Sequence, residues 1–456
     1  MARQEGELLR QAREGANLDV DLLARLSEVD VTRLQDAERG VVELSVEELD
    51  QCTKIFGVEP EDLFRGVATR SPLSLFLRSE VDPDLCAHSM ISTGIAEALG
   101  EFSRTANYFH ELDEALGLEP SIPRPPLLGR RPEEHDGDQR ARSARAHLGL
   151  GDQPISSMRD LIENQLGIRV VWVVEEQMDR LVDGASTMAP RPVIMVNLLE
   201  FGHSPWRARM TLAHELCHLL FDQEVRRQVL VSPHLDPQHR WRLLEPIEKC
   251  ARAFAGCFLA PTDAVRDLLG TIDPTSEDAI GLVGSRFGVG RITAINRLRD
   301  VFRLSDDQRK NMEVRTPRPY RGDFTNDLPS EPLGFRGASL IDAIGEALKK
   351  RVIAPSRARR MLRLRPDERL PHDGLPDELV APSVPREEVM RRSAQRILDE
   401  RFPGSGLWAR VAKQQRGGGW TVEVSTTTAR RKDHDEDRGR IRLHEDGTLA
   451  ECDIPA

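Results

Sequence analysis

Thr211-Leu212-Ala213-His214-Glu215-Leu216-Cys217-His218-Leu219-Leu220-Phe221 is a His-Glu-x-x-His motif in an apolar run free of glycine and proline. With no helix breaker inside it, the run predicts a helix. On that helix positions i and i+4 share a face, so His214 and His218 can offer two imidazole nitrogens to one ion. Glu215 follows the first histidine directly and can reach a water held beside that ion. This is the division of labour of a hydrolytic zinc site: protein ligands hold the ion, one position stays open, and a carboxylate takes a proton from water. Two histidines meeting by chance on a helix fit the pattern less well. Leu212, Ala213, Leu216, Leu219 and Leu220 make the helix apolar nearly all round, and buried, unpaired His and Glu side chains are costly. A closed structural zinc favours four cysteine-rich ligands instead. Cys217 lies about 100° around the helix from His218 and reads as a small buried residue.

A third ligand has to come from elsewhere. Asp222, Glu224, His234, Asp236, His239, Glu245 and Glu248 follow the motif, and their chemistry alone does not choose among them. The stretch from Glu248 to Pro261 reads as a helix with Ala251, Phe254, Ala255, Phe258 and Leu259 on one stripe and a proline stop. Glu248 sits one turn before Ala251, near the expected helix start, and points to the buried side. An acid there needs a partner, and a metal is one.

The run from Arg209 to Phe221, followed by Glu-x-x-Ala-x-x-Phe-Ala-x-x-Phe-Leu-x-Pro from Glu248 to Pro261, resembles the ImmA/IrrE family of bacterial and phage metallopeptidases. The resemblance covers residues 139–300. It implies that Glu248 completes the ligand set with His214 and His218, with Glu245 and His239 as fallbacks, and that Glu215 is the catalytic base. It also implies short strands ahead of the motif, for which Gly167 to Val174 and Pro192 to Asn197 are the candidates. Cys217 stands where the family usually has glycine and Met210 where it usually has phenylalanine; neither change removes a ligand or the base. Nitrogen and oxygen ligands suit zinc, with manganese as the other candidate.

Residues 1–66 carry five short apolar-patterned segments, Leu8 to Glu14, Val20 to Ser27, Val31 to Arg39, Val46 to Phe56 and Pro60 to Phe64, separated by turn signals at Gly15, Asp30, Gly40 and Gly57. Together with Glu38-Arg39-Gly40 and the ending Phe56-Gly57-Val58-x-Pro60-x-Asp62-Leu63-Phe64, this is similar to the lambda-repressor-like, or XRE, helix-turn-helix domain. The resemblance implies that the helix from Thr32 to Glu38 enters the major groove, with Arg33, Gln35 and Arg39 as candidate DNA contacts. Charge opposes that function. The segment holds 8 Lys/Arg against 16 Asp/Glu, a net charge of −8, whereas DNA affinity comes mainly from basic residues at phosphates. A protein-binding, dimerising or target-presenting role suits the domain better.

Elsewhere the chain is less explicit. Residues 71–118 read as helices, and the proline- and charge-rich stretch 119–138 reads as a linker. Ser276 to Phe302, centred on Phe287-Gly288-Val289-Gly290, resembles a second helix-turn-helix pair. Residues 311–456 match no family known to us. Ser339 to Arg351, Ser356 to Leu364 and Glu387 to Phe402 look helical there, Pro371 to Pro385 is proline-rich, and four strand-like segments follow from Trp408 onward. This part carries 27 Lys/Arg and 24 Asp/Glu, a balance typical of a solvated surface.

The expected fold class is α+β, mainly helical. It comprises a five-helix helix-turn-helix domain over 1–66, a helical connector over 67–118, a linker over 119–138, a zincin-like peptidase core with a small sheet over 139–270, a helical segment over 271–310 and an α+β region over 311–456. A length of 456 residues supports several domains. With no run of about 18 apolar residues and no signal segment, a soluble, cytoplasmic protein is expected. The six scattered cysteines fit reduced thiols. The function expected is a zinc endopeptidase whose substrate is a regulatory protein, by resemblance a helix-turn-helix repressor in a stress-response or mobile-element switch. The competing reading is a DNA-binding regulator with a structural or degenerate metal site.

Overall fold

The computed structural model describes residues 2–15, 18–64, 76–78, 92–120, 122, 133–176, 178, 182–188, 190–199, 204–222, 237–315, 327–329, 333–365, 367–372, 375–382, 384–403, 407–415, 419–426 and 437–454. They fall into two compact units, Met1–Ala343 and Ile344–Ala456.

The first unit begins with five helices, α1 (Ala2–Gly15), α2 (Val20–Ser27), α3 (Val31–Glu38), α4 (Val46–Phe56) and α5 (Pro60–Phe64). Local chemistry sets their ends. Asp19 and Asp30 accept hydrogen bonds from the amides of Leu22 and Arg33 at the starts of α2 and α3, and Ser45 with Glu48 forms a reciprocal capping box on α4. Leu23, Leu26, Leu34, Ile55 and Phe56 bury a small core between them.

Strand β1 (Phe76–Arg78) and helix α6 (Thr93–Leu116) follow. The strand corrects the expectation of helices throughout 71–118. Leu73, Leu75 and Leu77 alternate with other residues after Pro72, a period-2 signal that the all-helix reading passed over. Helix α6 packs against α4 at backbone distance: a Cβ on Gly100 would lie 1.8 Å from the Lys54 carbonyl oxygen. Its buried Arg104 donates to the carbonyl oxygens of Val58 at 2.6 Å and Thr53 at 3.3 Å, covering the C-terminal end of α4. One turn from the far end of α6, buried Asp113 pairs with Arg191 at 2.7 Å and with Arg169 at 3.2 Å, both of which border strands of the sheet.

Helix α7 (Asp136–His147) starts inside the stretch read as a linker. After an α-turn at Met158–Asp160 and a π-turn at Leu161–Gln165 come β2 (Arg169–Val173), β3 (Gly184–Thr187) and β4 (Val193–Asn197). The sheet order is β1-β3-β4-β2, with β2 parallel to β4 and the other pairs antiparallel. Every residue of β3 and β4 is buried. Helix α8 (Pro205–Cys217) lies against this sheet and passes into a π-turn at His218–Asp222. Helix α9 (Pro237–Leu259) crosses it, with Phe254 and Phe258 in the shared core. Its start lies well before Glu248, so Glu248 is a mid-helix residue. Pro246 is accommodated inside the helix.

Helices α10 (Thr262–Leu269), α11 (Glu277–Phe287), α12 (Arg291–Phe302) and α13 (Asp306–Glu313) close the core. Gly288 takes φ +63° at the α11 C-terminus, a left-handed turn that glycine adopts without strain. Helix α14 (Ala338–Lys349) spans the division between the units.

The second unit holds α15 (Pro355–Met361), α16 (Asp377–Val380), α17 (Arg386–Arg401) and an antiparallel sheet, β5 (Leu407–Gln414), β6 (Trp420–Thr426), β7 (Asp437–Leu443) and β8 (Leu449–Asp453), in sequential order. Met390, Ala394 and Leu398, one helical stripe of α17, pack with Ala409, Val422, Val424 and Ile441. The molecule is α+β and mainly helical, as the patterning predicts. Among the described residues no helix is long and apolar enough to cross a membrane.

Candidate metal centre

His214 and His218 leave the end of α8 on one face, as their spacing requires, and Glu248 meets them from α9. His214 Nε2 lies 3.0 Å from His218 Nε2 and 3.1 Å from Glu248 Oε2; His218 Nε2 lies 3.6 Å from the same carboxylate oxygen. All three residues are at most 5% exposed, and among the described residues they form the one convergent group of donors suited to a metal ion. Four ligands at about 2.0–2.1 Å in a tetrahedron stand roughly 3.3 Å apart. The triangle of two nitrogens and one oxygen has those dimensions, so the residues present fit a zinc-type ion.

Glu215, one residue from His214, is fully buried and accepts a hydrogen bond from Ser186 Oγ at 2.8 Å. Ser186 comes from β3, which lies close against α8. A Cβ on Gly184 would come within 2.6 Å of Thr211 Cγ2, 3.0 Å of the Met195 carbonyl oxygen and 3.3 Å of Glu215 Oε1. Only glycine lets the strand approach the helix this closely.

Of the other third-ligand candidates, Glu245 pairs with Lys249 at 2.7 Å and is partly exposed. The positions 224, 234 and 236, and the side chain of His239, lie outside the described residues. Asp222 is fully buried but sits behind His218, its Oδ2 2.8 Å from Nδ1. Cys217 is buried beside Arg140, with Sγ 3.8 Å from Nη1. Burial pushes its thiol well above the ordinary range, and that of Cys250 up to about 12. Both are therefore protonated near neutral pH and act as small core residues.

Residues 163–299 match the IrrE N-terminal-like domain. This is a metallopeptidase family, and the matched segment contains His214, Glu215, His218 and Glu248. Residues 9–63 of the same chain match the helix-turn-helix family. No curated protein and no solved structure matches the chain. The IrrE-like segment and the helix-turn-helix segment stand in the order the motifs suggest.

The candidate DNA contacts on α3 do not gather into a basic face. Arg33 pairs with Glu48 and donates to the Glu43 carbonyl oxygen at 3.1 Å, while Arg39 pairs with Asp36. Gln35 is exposed. The Arg33 side chain, by hydrogen bonding to the Glu48 carboxylate, holds that group down to about 2. In this fold the arginines of α3 and its C-cap thus face carboxylates of their own domain.

Sequence reasoning missed three contributors to the site. Ser186 and Gly184 lie on a strand whose small residues, Gly-Ala-Ser-Thr, carry no alternating apolar signal. Arg209, on α8 and fully buried, donates to the carbonyl oxygens of Ile155 at 2.6 Å and Gly288 at 3.2 Å and pairs with buried Asp327 at 2.9 Å. An arginine inside an otherwise buried helix was the available signal, since such a charge requires partners.

Proposed function

We propose that the chain is a zinc-dependent endopeptidase that cleaves a regulatory protein, with His214, His218 and Glu248 as ligands and Glu215 as general base. The observation that carries this reading is the convergence of the three donors with Glu215 held beside them by Ser186. A bound divalent ion supplies Lewis acidity and makes water a nucleophile near neutral pH. Glu215 takes the proton of the attacking water at its carboxylate and delivers it to the leaving amine nitrogen. Burial of the site limits competing water and strengthens these charge interactions.

The substrate suggested by the domain pairing is a helix-turn-helix repressor, cut in a stress-response or mobile-element switch, with the acidic N-terminal helices serving as a protein-contact module. The ion pairs of Arg33 and Arg39 support that role over DNA reading. The test is cleavage of a repressor encoded beside this gene, together with bound zinc. Wild-type protein should cut it, and Glu215→Gln should retain zinc and lose about 10²–10⁴-fold in rate. Equal cleavage by both folded proteins rejects the peptidase mechanism.

A further inference from the structure

Behind His218, on the side away from the donor triangle, lies a chain of buried polar contacts that the proposed chemistry does not use. Asp222 Oδ2 is 2.8 Å from His218 Nδ1. The other carboxylate oxygen, Oδ1, accepts from Arg140 Nη1 at 2.6 Å. Asp222 is fully buried and Arg140 is 4% exposed. Arg140 comes from α7, outside the IrrE-like match, and its guanidinium sits 5.0 Å over the Phe221 ring.

We propose that Asp222, anchored by Arg140, is a positioning residue that sets the tautomer and aim of His218 for the ion. The inference rests on the reading of His214, His218 and Glu248 as ligands. A histidine binds a metal as neutral imidazole, through the nitrogen that bears the lone pair. A ring nitrogen facing a carboxylate carries the proton, so Nδ1–H donates to Asp222 and the lone pair is left on Nε2. Nε2 is the atom in the donor triangle. The carboxylate also makes Nε2 a stronger base and fixes the ring plane.

Two features distinguish this from a buried ion pair that only joins helices. The two carboxylate oxygens are divided, one to Arg140 and one to the ligand histidine, rather than forming a two-pronged pair with the arginine. Asp222 follows His218 by four residues on the π-turn His218–Asp222, so ligand and positioning residue belong to one turn of backbone and move together. Arg140 supplies the charge without which a fully buried carboxylate would be costly. In this arrangement α7, which precedes the matched domain, completes the metal centre.

Zinc affinity of the full chain, read by competition with a chromogenic chelator, tests the proposal, with the visible spectrum of the cobalt-substituted protein as a second readout. Asp222→Ala should weaken zinc binding by about 10- to 100-fold and alter the cobalt spectrum. Asp222→Asn keeps an acceptor for Nδ1–H but not its charge, and should recover part of that loss. The double variant Arg140→Met/Asp222→Leu removes both charges, leaves neither buried alone, and should stay folded by circular dichroism while still binding zinc weakly. Unchanged affinity and spectrum in any folded variant lacking the Asp222 acceptor would overturn the positioning role. If the wild type binds no zinc, the ligand reading fails and takes this inference with it. If the wild type binds and the variants match it, only the inference fails.

Discussion

On the His-Glu-x-x-His helix, His214, Glu215 and His218 are buried, and the two histidines meet Glu248 from another helix. On helix α3 and its C-cap, Arg33, Gln35 and Arg39 lie toward solvent, and the two arginines turn to carboxylates of the same small domain. Both regions are recognisable from residue spacing, yet spacing carries different weight in each. A buried polar group must find a partner of matching chemistry, so its residue type constrains what stands opposite. An exposed charge has water as an alternative partner, and neighbouring side chains decide where it points. Function is accordingly easier to read from the interior motif than from the surface one.

The largest effect expected from this contrast is at Glu248. Replacing it with alanine removes one of three protein donors, and zinc affinity of the full chain should fall by more than about a hundredfold, beyond the range typical of an outer hydrogen-bond partner. Retained wild-type affinity in the chelator competition would return the third-ligand question to the other acidic residues. An intermediate effect concerns DNA. Mixed with duplex at physiological salt, the chain should bind no more tightly than the roughly 10⁻⁴–10⁻⁶ M of non-specific association. A tight, salt-sensitive shift that is lost in Arg33→Ala would break the contrast by showing that α3 reads DNA despite its ion pairs.

The smallest effect is at Glu48. Its folded-state pKa is depressed to about 2, first by the hydrogen bond from Arg33 and further by Ser45. A depressed carboxylate stabilises the fold above its unfolded pKa, near 4.5, and that contribution is lost as pH falls through about 2. Glu48→Gln, which keeps an acceptor for the Ser45 amide, should therefore lower the thermal midpoint of the N-terminal helices by only roughly 1–3 °C at pH 7. The difference from wild type should shrink between pH 4.5 and 2. A midpoint difference that persists at pH 2 would show that the ion pair is not its source.

Much of the fold was legible because its signals are local. Helices α2, α4 and α5 begin and end where Asp19, Ser45, Gly57 and Pro60 place caps and breakers. The strands β2 and β4 announce themselves as β-branched apolar runs. Strand β1 was read as helix because its alternation is short, and β3 was missed because close packing on α8 selects small residues, not apolar ones. The start of α9 was misplaced because the regular apolar stripe that reveals the helix in sequence begins only near Glu248, whereas the helix itself starts at Pro237.

The sequence by itself determined that His214 and His218 share a helical face, that Glu215 lies next to them, and that an acid on the Glu248 stripe would be buried. These follow from 3.6 residues per turn and from the cost of burying polar groups. Only the tertiary structure decided which acid meets the histidines, that Ser186 holds Glu215, and that Asp222 stands behind His218 with Arg140. The pairs Ser186–Glu215, His214–Glu248 and Arg140–Asp222 lie 29, 34 and 82 positions apart. Helical periodicity carries no information over such distances; the packing of α7, β3 and α9 around α8 supplies it.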